Sequence, residues 1–166
     1  MPVSDRLAYP LLRTFGRLEY QLKLRHAFLR ADRHGNAMVN WQAVMAAVAA
    51  LEPADFMERV SAETRHKVLT QARNRPKVQM VVEVNDRCQA RFQERNLDLP
   101  DREPSDTHAL VEAARRVRNN LFHGGKEDAG EQPFDGDDDQ WADAALDIVQ
   151  RLLDLVETGT FGPVEP

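Results

Sequence analysis

Apolar residues recur along this chain at steps of three and four, the spacing that gathers them on one face of an α-helix. Leu7, Leu11, Phe15, Leu18, Leu22 and Leu29 hold the spacing first, which predicts a helix from about Tyr9 to Arg30. Pro10 suits its first turn, where a missing N–H costs nothing. Asp32-Arg33-His34-Gly35-Asn36 is a turn. Asn40 then caps a second helix with Trp41, Val44, Met45, Val48 and Leu51 as its buried face. Pro53 opens a short helical piece carrying Phe56, Met57 and Val60. Ser61 caps a third helix, Ala62 to Arg73, packed through Val68, Leu69 and Ala72, and Arg75-Pro76 ends it.

The run Val78-Gln79-Met80-Val81-Val82-Glu83-Val84 has the β-branched content of a strand, but no partner strand stands out beside it. It is read as the start of a helix reaching Glu94, with Val81, Val84, Cys88 and Phe92 inward. Arg87, Arg91 and Arg95 then form one stripe, either a ladder for backbone phosphates or a solvated face. Asp98 to Asp106 is a proline-bearing linker. A central helix follows from Thr107 to His123, with Leu110, Ala114, Val117 and Leu121 on one face. Ser105, Asp106 or Thr107 caps its start, and Gly124-Gly125 suits a left-handed stop. Glu127 to Asp139 is an exposed loop in which seven of thirteen residues are acidic. Asp138 or Asp139 caps the last helix, built on Trp141, Ala145, Ile148, Leu152 and Leu155 and stopped by Gly159. Residues 159–166 are a tail. The pattern predicts an all-α fold: a single domain over 1–166, core 9–157, as a bundle of about five helices.

Composition fits that picture. The 166 residues suffice for one full-sized core, and with 42% hydrophobic and 30% charged residues the chain reads as globular. No apolar run is long enough to span a bilayer, and no basic start precedes an apolar stretch, so the expected place is the cytoplasm, without a membrane. The one cysteine, Cys88, excludes an internal disulfide and a cysteine-based zinc site. His26 and His34 lack ligand partners at useful spacing, and the acidic loop lacks the spacing of an EF-hand. Neither metal nor cofactor is expected. The net charge of −5 is unevenly spread: nine basic against four acidic residues from Arg59 to Arg95, one against twelve from Glu127 to Pro166. A nucleic-acid partner needs a local basic surface, not a basic total.

The densest chemistry is Arg115-Arg116-Val117-Arg118-Asn119-Asn120-Leu121-Phe122-His123-Gly124-Gly125-Lys126, at the end of the central helix. At roughly 100° per residue, Arg118 falls on the shoulder of the apolar face, while Glu112, Arg116, Asn119 and His123 fall opposite it. Asn119 and His123 are neighbours at i,i+4. Arg118 and His123, five apart, are poorly placed to act together on one helix. Two helices related by a two-fold axis bring them together more easily.

The pattern Arg118-Asn119-Asn120-Leu121-Phe122-His123 resembles the Arg-x4–6-His signature of the HEPN superfamily. Phe15-Gly16-Arg17-Leu18-Glu19-Tyr20-Gln21-Leu22-Lys23 and Val117 to Lys126 are similar to the two motifs of one bacterial, partly plasmid-borne HEPN family. The resemblance spans Leu11 to Val156, and these two blocks carry it. It implies an HEPN-like helical bundle, a homodimer with the motif at its interface, and RNA as partner. It implies a metal-independent endoribonuclease in bacterial defence, toxin–antitoxin or stress response, leaving 2′,3′-cyclic phosphate ends. Arg118, His123, Asn119 and Glu19 are the implied catalytic set, and Lys126, Arg116 and Asn120 the RNA- or phosphate-binding set. An antitoxin or regulatory protein is a further partner to look for. Some HEPN toxins have a tyrosine two residues after the histidine, modified by a nucleotidyltransferase partner. Here that position is Gly125, which speaks against that control.

The chemistry suits these residue types. His123 can act as acid and base near neutral pH, and Arg118 offers a planar, permanently charged fork to a phosphate. Glu19 either pairs with Lys23 at i+4 or orients a base or arginine, and the resemblance favours the second. Two alternatives use the same residues without catalysis: an HEPN-like dimer that binds RNA or nucleotide, and a structural interaction module.

Overall fold

The computed structural model describes residues 3–70, 76–93, 95–101, 105–122 and 138–161. Five α-helices dominate, joined by two small antiparallel sheets: α1 (Asp5–Lys23), β1 (Leu29–Ala31), β2 (Ala37–Val39), α2 (Trp41–Ala49), α3 (Ala62–Leu69), β3 (Val78–Val84), β4 (Arg87–Gln93), α4 (Asp106–Phe122) and α5 (Asp138–Glu157). The fold is mostly helical, as the periodicity requires, but the all-α expectation is corrected by two hairpins.

Helices α1 and α5 run parallel. At their N-terminal ends the Ser4 N–H meets the Asp139 carboxylate at 2.8 Å, and at their C-terminal ends Arg25 donates to the Val156 carbonyl at 3.0 Å. Leu7, Leu11, Phe15, Leu18 and Leu22 form the buried stripe of α1. Trp141, Ile148, Leu152 and Val156 answer from α5, and Leu110, Val111 and Val117 from α4. The same Arg25 donates to the Gln21 carbonyl at 2.6 Å. One buried cation thus meets carbonyls at two helix C-termini, where the helix dipoles favour positive charge.

That bond also explains why the first helix stops at Lys23 and not at Arg30. Arg25 is already extended, with φ −112° and ψ 120°. The chain turns there, and Leu29 to Val39 form the β1–β2 hairpin in the register Leu29↔Val39, Ala31↔Ala37. The turn is the one expected. The Asp32 carboxylate accepts the His34 and Asn36 N–H groups and the Asn36 amide, and Gly35 takes φ +84°. Leu29, placed inward by the helix reading, is exposed. Asn40 caps α2 by accepting the Ala43 N–H, and Ser61 caps α3 by accepting the Thr64 N–H. Ser105 accepts the His108 N–H at the start of α4. Of the expected third helix, 71–73 lie outside the described residues, as do 127–137 of the acidic loop and most of the tail.

The second correction is larger. Val78 to Gln93 is a β-hairpin, not a helix, with each strand paired to the other over seven residues. Asn85 and Asp86 have φ of 51° and 57°, the left-handed pair that a two-residue type I′ turn requires. Val81 and Cys88 are exposed, not inward, and Arg87, Arg91 and Arg95 do not share a helical stripe.

Helix α4 pins both ends of this β3–β4 arm. Arg116, only 4% exposed, donates to the carbonyls of Arg95 and Asn96 after β4 and of Pro76 before β3. Asn120 donates to the Lys77 carbonyl at 2.7 Å. Replacing Arg116 with Ala removes all three bonds, and the one carbonyl left buried and unpaired, that of Pro76, costs roughly 1–3 kcal/mol. Hydrogen exchange in 76–98 should accelerate while α1 and α5 stay protected. Unchanged exchange in the arm would show that this clamp does not hold it.

Candidate functional site

A cleft of about 460 Å³ opens where α1, α4 and the β1–β2 hairpin meet. Helix α1 supplies Phe15, Glu19 and Lys23, three residues at i, i+4 and i+8 that one helix face must present together. Helix α4 supplies Arg115, Arg118 and Asn119. The hairpin supplies Arg30 and Met38, and Trp41 closes the wall at the start of α2.

Arg118 is the most constrained of these. Its Nη2 donates to both Glu19 oxygens, at 3.1 and 3.2 Å, and Nη1 donates to the Asn119 side-chain oxygen at 2.9 Å. The guanidinium carbon lies 5.0 Å from the ring centres of both Phe15 and Phe122. The first ring is buried in the core and the second is 65% exposed. Ion pair and rings therefore fix the fork at the boundary between core and solvent, with Arg118 and Glu19 side chains 22% and 21% exposed. Each stacked ring adds about 0.5–1 kcal/mol at such a site.

A parallel arrangement holds Arg115. It pairs with Glu112 at 2.8 Å and lies 5.1 Å from the Trp41 ring, which itself sits 5.5 Å from Phe15. Guanidinium and aromatic groups thus form one continuous layer from Arg115 through Trp41 and Phe15 to Arg118 and Phe122. Glu19 and Glu112 balance two of the cations. Among the described residues, Lys23 and Arg30 have no acidic partner, so the rim of the cleft is cationic.

The structure thus brings together Glu19, Arg118 and Asn119 from the expected set. The Glu19–Arg118 contact is present, in place of a Glu19–Lys23 pair. His123 and Lys126 lie outside the described residues. Arg116 and Asn120 are not brought to the cleft: both are buried and engaged with backbone carbonyls at the root of the arm. Glu112, like Arg116 assigned to a polar face, is buried too, and its partner is the Arg115 guanidinium. Lys23, Arg30 and Arg115 are cleft residues outside the expected set, and Trp41, expected as core, lines the cleft as well. Arg30 was hidden because the first helix was expected to run to it, and the signal against that was the turn at Asp32 to Asn36 followed by a short apolar run.

A larger cavity, about 880 Å³, lies between α2 and the start of α4, lined largely by Met45, Ala46, Ala49, Leu99 and Pro100. The charged residue on its wall is Asp98, so it does not suit an anion. Its His108 ring nitrogen sits 2.6 Å from the Ser105 hydroxyl, an arrangement local to the helix start. Among the described residues no three His, Cys, Asp or Glu side chains gather as a metal site, and no helix is long and apolar enough to cross a membrane. Comparison with protein-family models, with curated proteins and with solved structures returns no match.

Glu112 supplies a pH test of the layer behind the cleft. Burial raises its carboxyl pKa above the ordinary value of 4.5, Arg115 and Arg116 oppose that, and Asp98 adds to it. The net direction means that ionised Glu112 is disfavoured in the folded chain. From pH 4.5 upward the unfolded chain ionises first, so the wild type loses stability through that window. Glu112→Gln should escape this loss. The melting-temperature difference, Glu112→Gln minus wild type, should grow more positive between about pH 4 and pH 7. A difference that shrinks over that range would mean the Arg115 pair outweighs burial.

Proposed function

We propose that this chain is a metal-independent endoribonuclease of the HEPN type, acting as a homodimer with a composite Arg118/His123 site. The observation that carries the reading is the Arg118 fork, fixed by Glu19 and two aromatic rings at the mouth of a cationic cleft. A planar guanidinium held in place matches the equatorial oxygens of a phosphoryl group, and Lys23 and Arg30 on the rim draw the backbone in. His123 follows Phe122 directly in sequence, and the HEPN-like motif puts the proton-transfer group there.

The reaction needs no other reagent. One His123 takes the proton from a ribose 2′-hydroxyl, and the 2′-oxygen attacks the adjacent phosphorus. The bond from phosphorus to the 5′-oxygen breaks, and an imidazolium, that of His123 from either copy, returns a proton to the leaving oxygen. The products are a 2′,3′-cyclic phosphate and a 5′-hydroxyl. Arg118 stabilises the charge that builds on the phosphoryl oxygens. Glu19 positions Arg118, and Asn119 holds the other side of the fork. The bacterial setting that goes with the reading is defence, toxin–antitoxin or stress response, with RNA as substrate.

A second reading has one observation in its favour. Both oxygens of Glu19 already engage Arg118, so part of its charge is balanced within the fold. A cleft of that kind also serves a dimer that binds RNA or a nucleotide without cutting it.

Cleavage should persist in EDTA, since His123 and Arg118 supply proton transfer and charge between them. Folded, dimeric His123→Ala should lose roughly 10²–10⁴-fold in rate while still binding RNA. Arg118→Ala should lose both rate and affinity. Arg118→Lys should recover affinity more than rate, because it keeps the charge but not the fork. Wild-type rates in His123→Ala would remove the catalytic assignment. Salt-sensitive binding with no cleavage of any RNA offered would favour the binder.

A further inference from the structure

The β3–β4 arm carries an open edge whose geometry is fully specified. A type I′ turn at Asn85-Asp86 makes Val84 and Arg87 a hydrogen-bonded pair, and the pattern alternates from there. Met80 and Val82 therefore point their backbone groups at β4, while residues 79, 81 and 83 point theirs outward. Among the described residues, no backbone group of another element meets Val81 or Glu83. Val81 is 73% exposed. A two-stranded ribbon is marginal in water by itself; α4 holds this one at its root, and a third strand would stabilise the part beyond.

Exposed edges are ordinarily blunted by proline, lysine or a bulge. Strand β3 has none of these: it reads VQMVVEV and pairs with β4 without interruption. Strand β4 carries Arg87 and Arg91 instead. The unprotected edge is thus the apolar one.

We propose that β3 pairs antiparallel with β3 of a second copy of this chain, about a two-fold axis through Val81. Self-pairing demands that the strand match its own reverse. About Val81, position 78 falls opposite 84, both Val; Met80 falls opposite Val82; and the polar positions 79 and 83 fall opposite each other. The outward-pointing residues 79, 81 and 83 are symmetric about the axis, so all three exchange backbone hydrogen bonds. Centring one residue either way sets Val81 against Gln79 or Glu83. The result is a four-stranded sheet, β4–β3–β3–β4, bounded on both sides by arginine-bearing strands. It goes beyond the RNA chemistry and does not rest on it.

Val81→Pro tests the contact. It removes an N–H that the β3–β4 pairing does not use but that the two-fold uses once from each copy. In sedimentation the wild type should self-associate, and Val81→Pro should raise the dissociation constant of the arm-mediated step by about tenfold or more, whether or not a helix-mediated dimer remains. A cross-link guards against an arm that proline unfolds. In a Cys88→Ser background, Val81→Cys should join two chains on oxidation, and Glu83→Cys, far from its symmetry mate, should not. A monomeric wild type overturns the proposal. So does a Val81→Cys protein that stays dimeric without cross-linking.

Discussion

A helix buried on nearly every side leaves its charged residues no solvent to face, and α4 is such a helix. From His108 to Ala114 every residue is buried, Glu112 among them, and Arg116 and Asn120 follow. An unpaired buried charge costs several kcal/mol, so each of these side chains must find partners within the fold. Those partners dictate the surroundings. Arg116 needs carbonyls and takes them from 76, 95 and 96, which fixes where the arm leaves and returns. Asn120 takes the next one at Lys77. The arm is rooted where it is because α4 has polar groups to satisfy.

Helical geometry then divides the remaining residues. Glu112, Arg116 and Asn120, at steps of four, form the row behind the helix. Arg115, Arg118, Asn119 and Phe122 form the row that meets α1 and the β1–β2 hairpin. The two rows do different work. In the first, Arg116 and Asn120 are satisfied by backbone carbonyls and Glu112 by Arg115, and the row makes structure. The second is satisfied by one carboxylate per guanidinium, by Asn119 at Arg118 and by aromatic faces, and both arginines line the cleft. A half-buried ion pair is a modest source of stability. Its stronger effect here is to remove the rotameric freedom of Arg118 before any ligand arrives.

The helices were legible because each has a stripe at helical spacing, and three of them a capping residue with its own signal, at Asn40, Ser61 and Ser105. The hairpins were not, and for different reasons. Leu29 extends the spacing of α1, so periodicity cannot show that Arg25 ends the helix by bonding carbonyls 4 and 131 residues away. Val78 to Val84 has the residues of a strand, and the missing partner was β4, whose Arg, Gln and Cys residues lack any strand-like run. The signal available was Asn85-Asp86, a turn pair between two seven-residue segments. In the site, Glu19 and Arg118 could be matched from sequence because both lie on helix shoulders. Arg116 and Asn120 could not be told from Arg118 and Asn119, since composition is the same and only burial separates them.

Arm and cleft, sharing α4, constrain each other. A strand advances about 3.4 Å per residue, so a two-fold at Val81 sets the two Lys77 roots roughly 27 Å apart along the strand. Each root hangs on Asn120, next to Asn119. The strand contact alone therefore does not bring two motif helices together, and a composite cleft requires a second surface. Mixing separates the cases. If one cleft draws on both chains, a mixed dimer of Arg118→Ala with His123→Ala retains one arginine and one histidine in the same site. Combining the two inactive proteins should then restore part of the cleavage. If each chain works alone, every cleft in the mixture lacks one group and no activity returns. Recovery in the mixture together with Val81→Pro in both chains would assign the composite cleft to the helix surface and the arm to a separate contact.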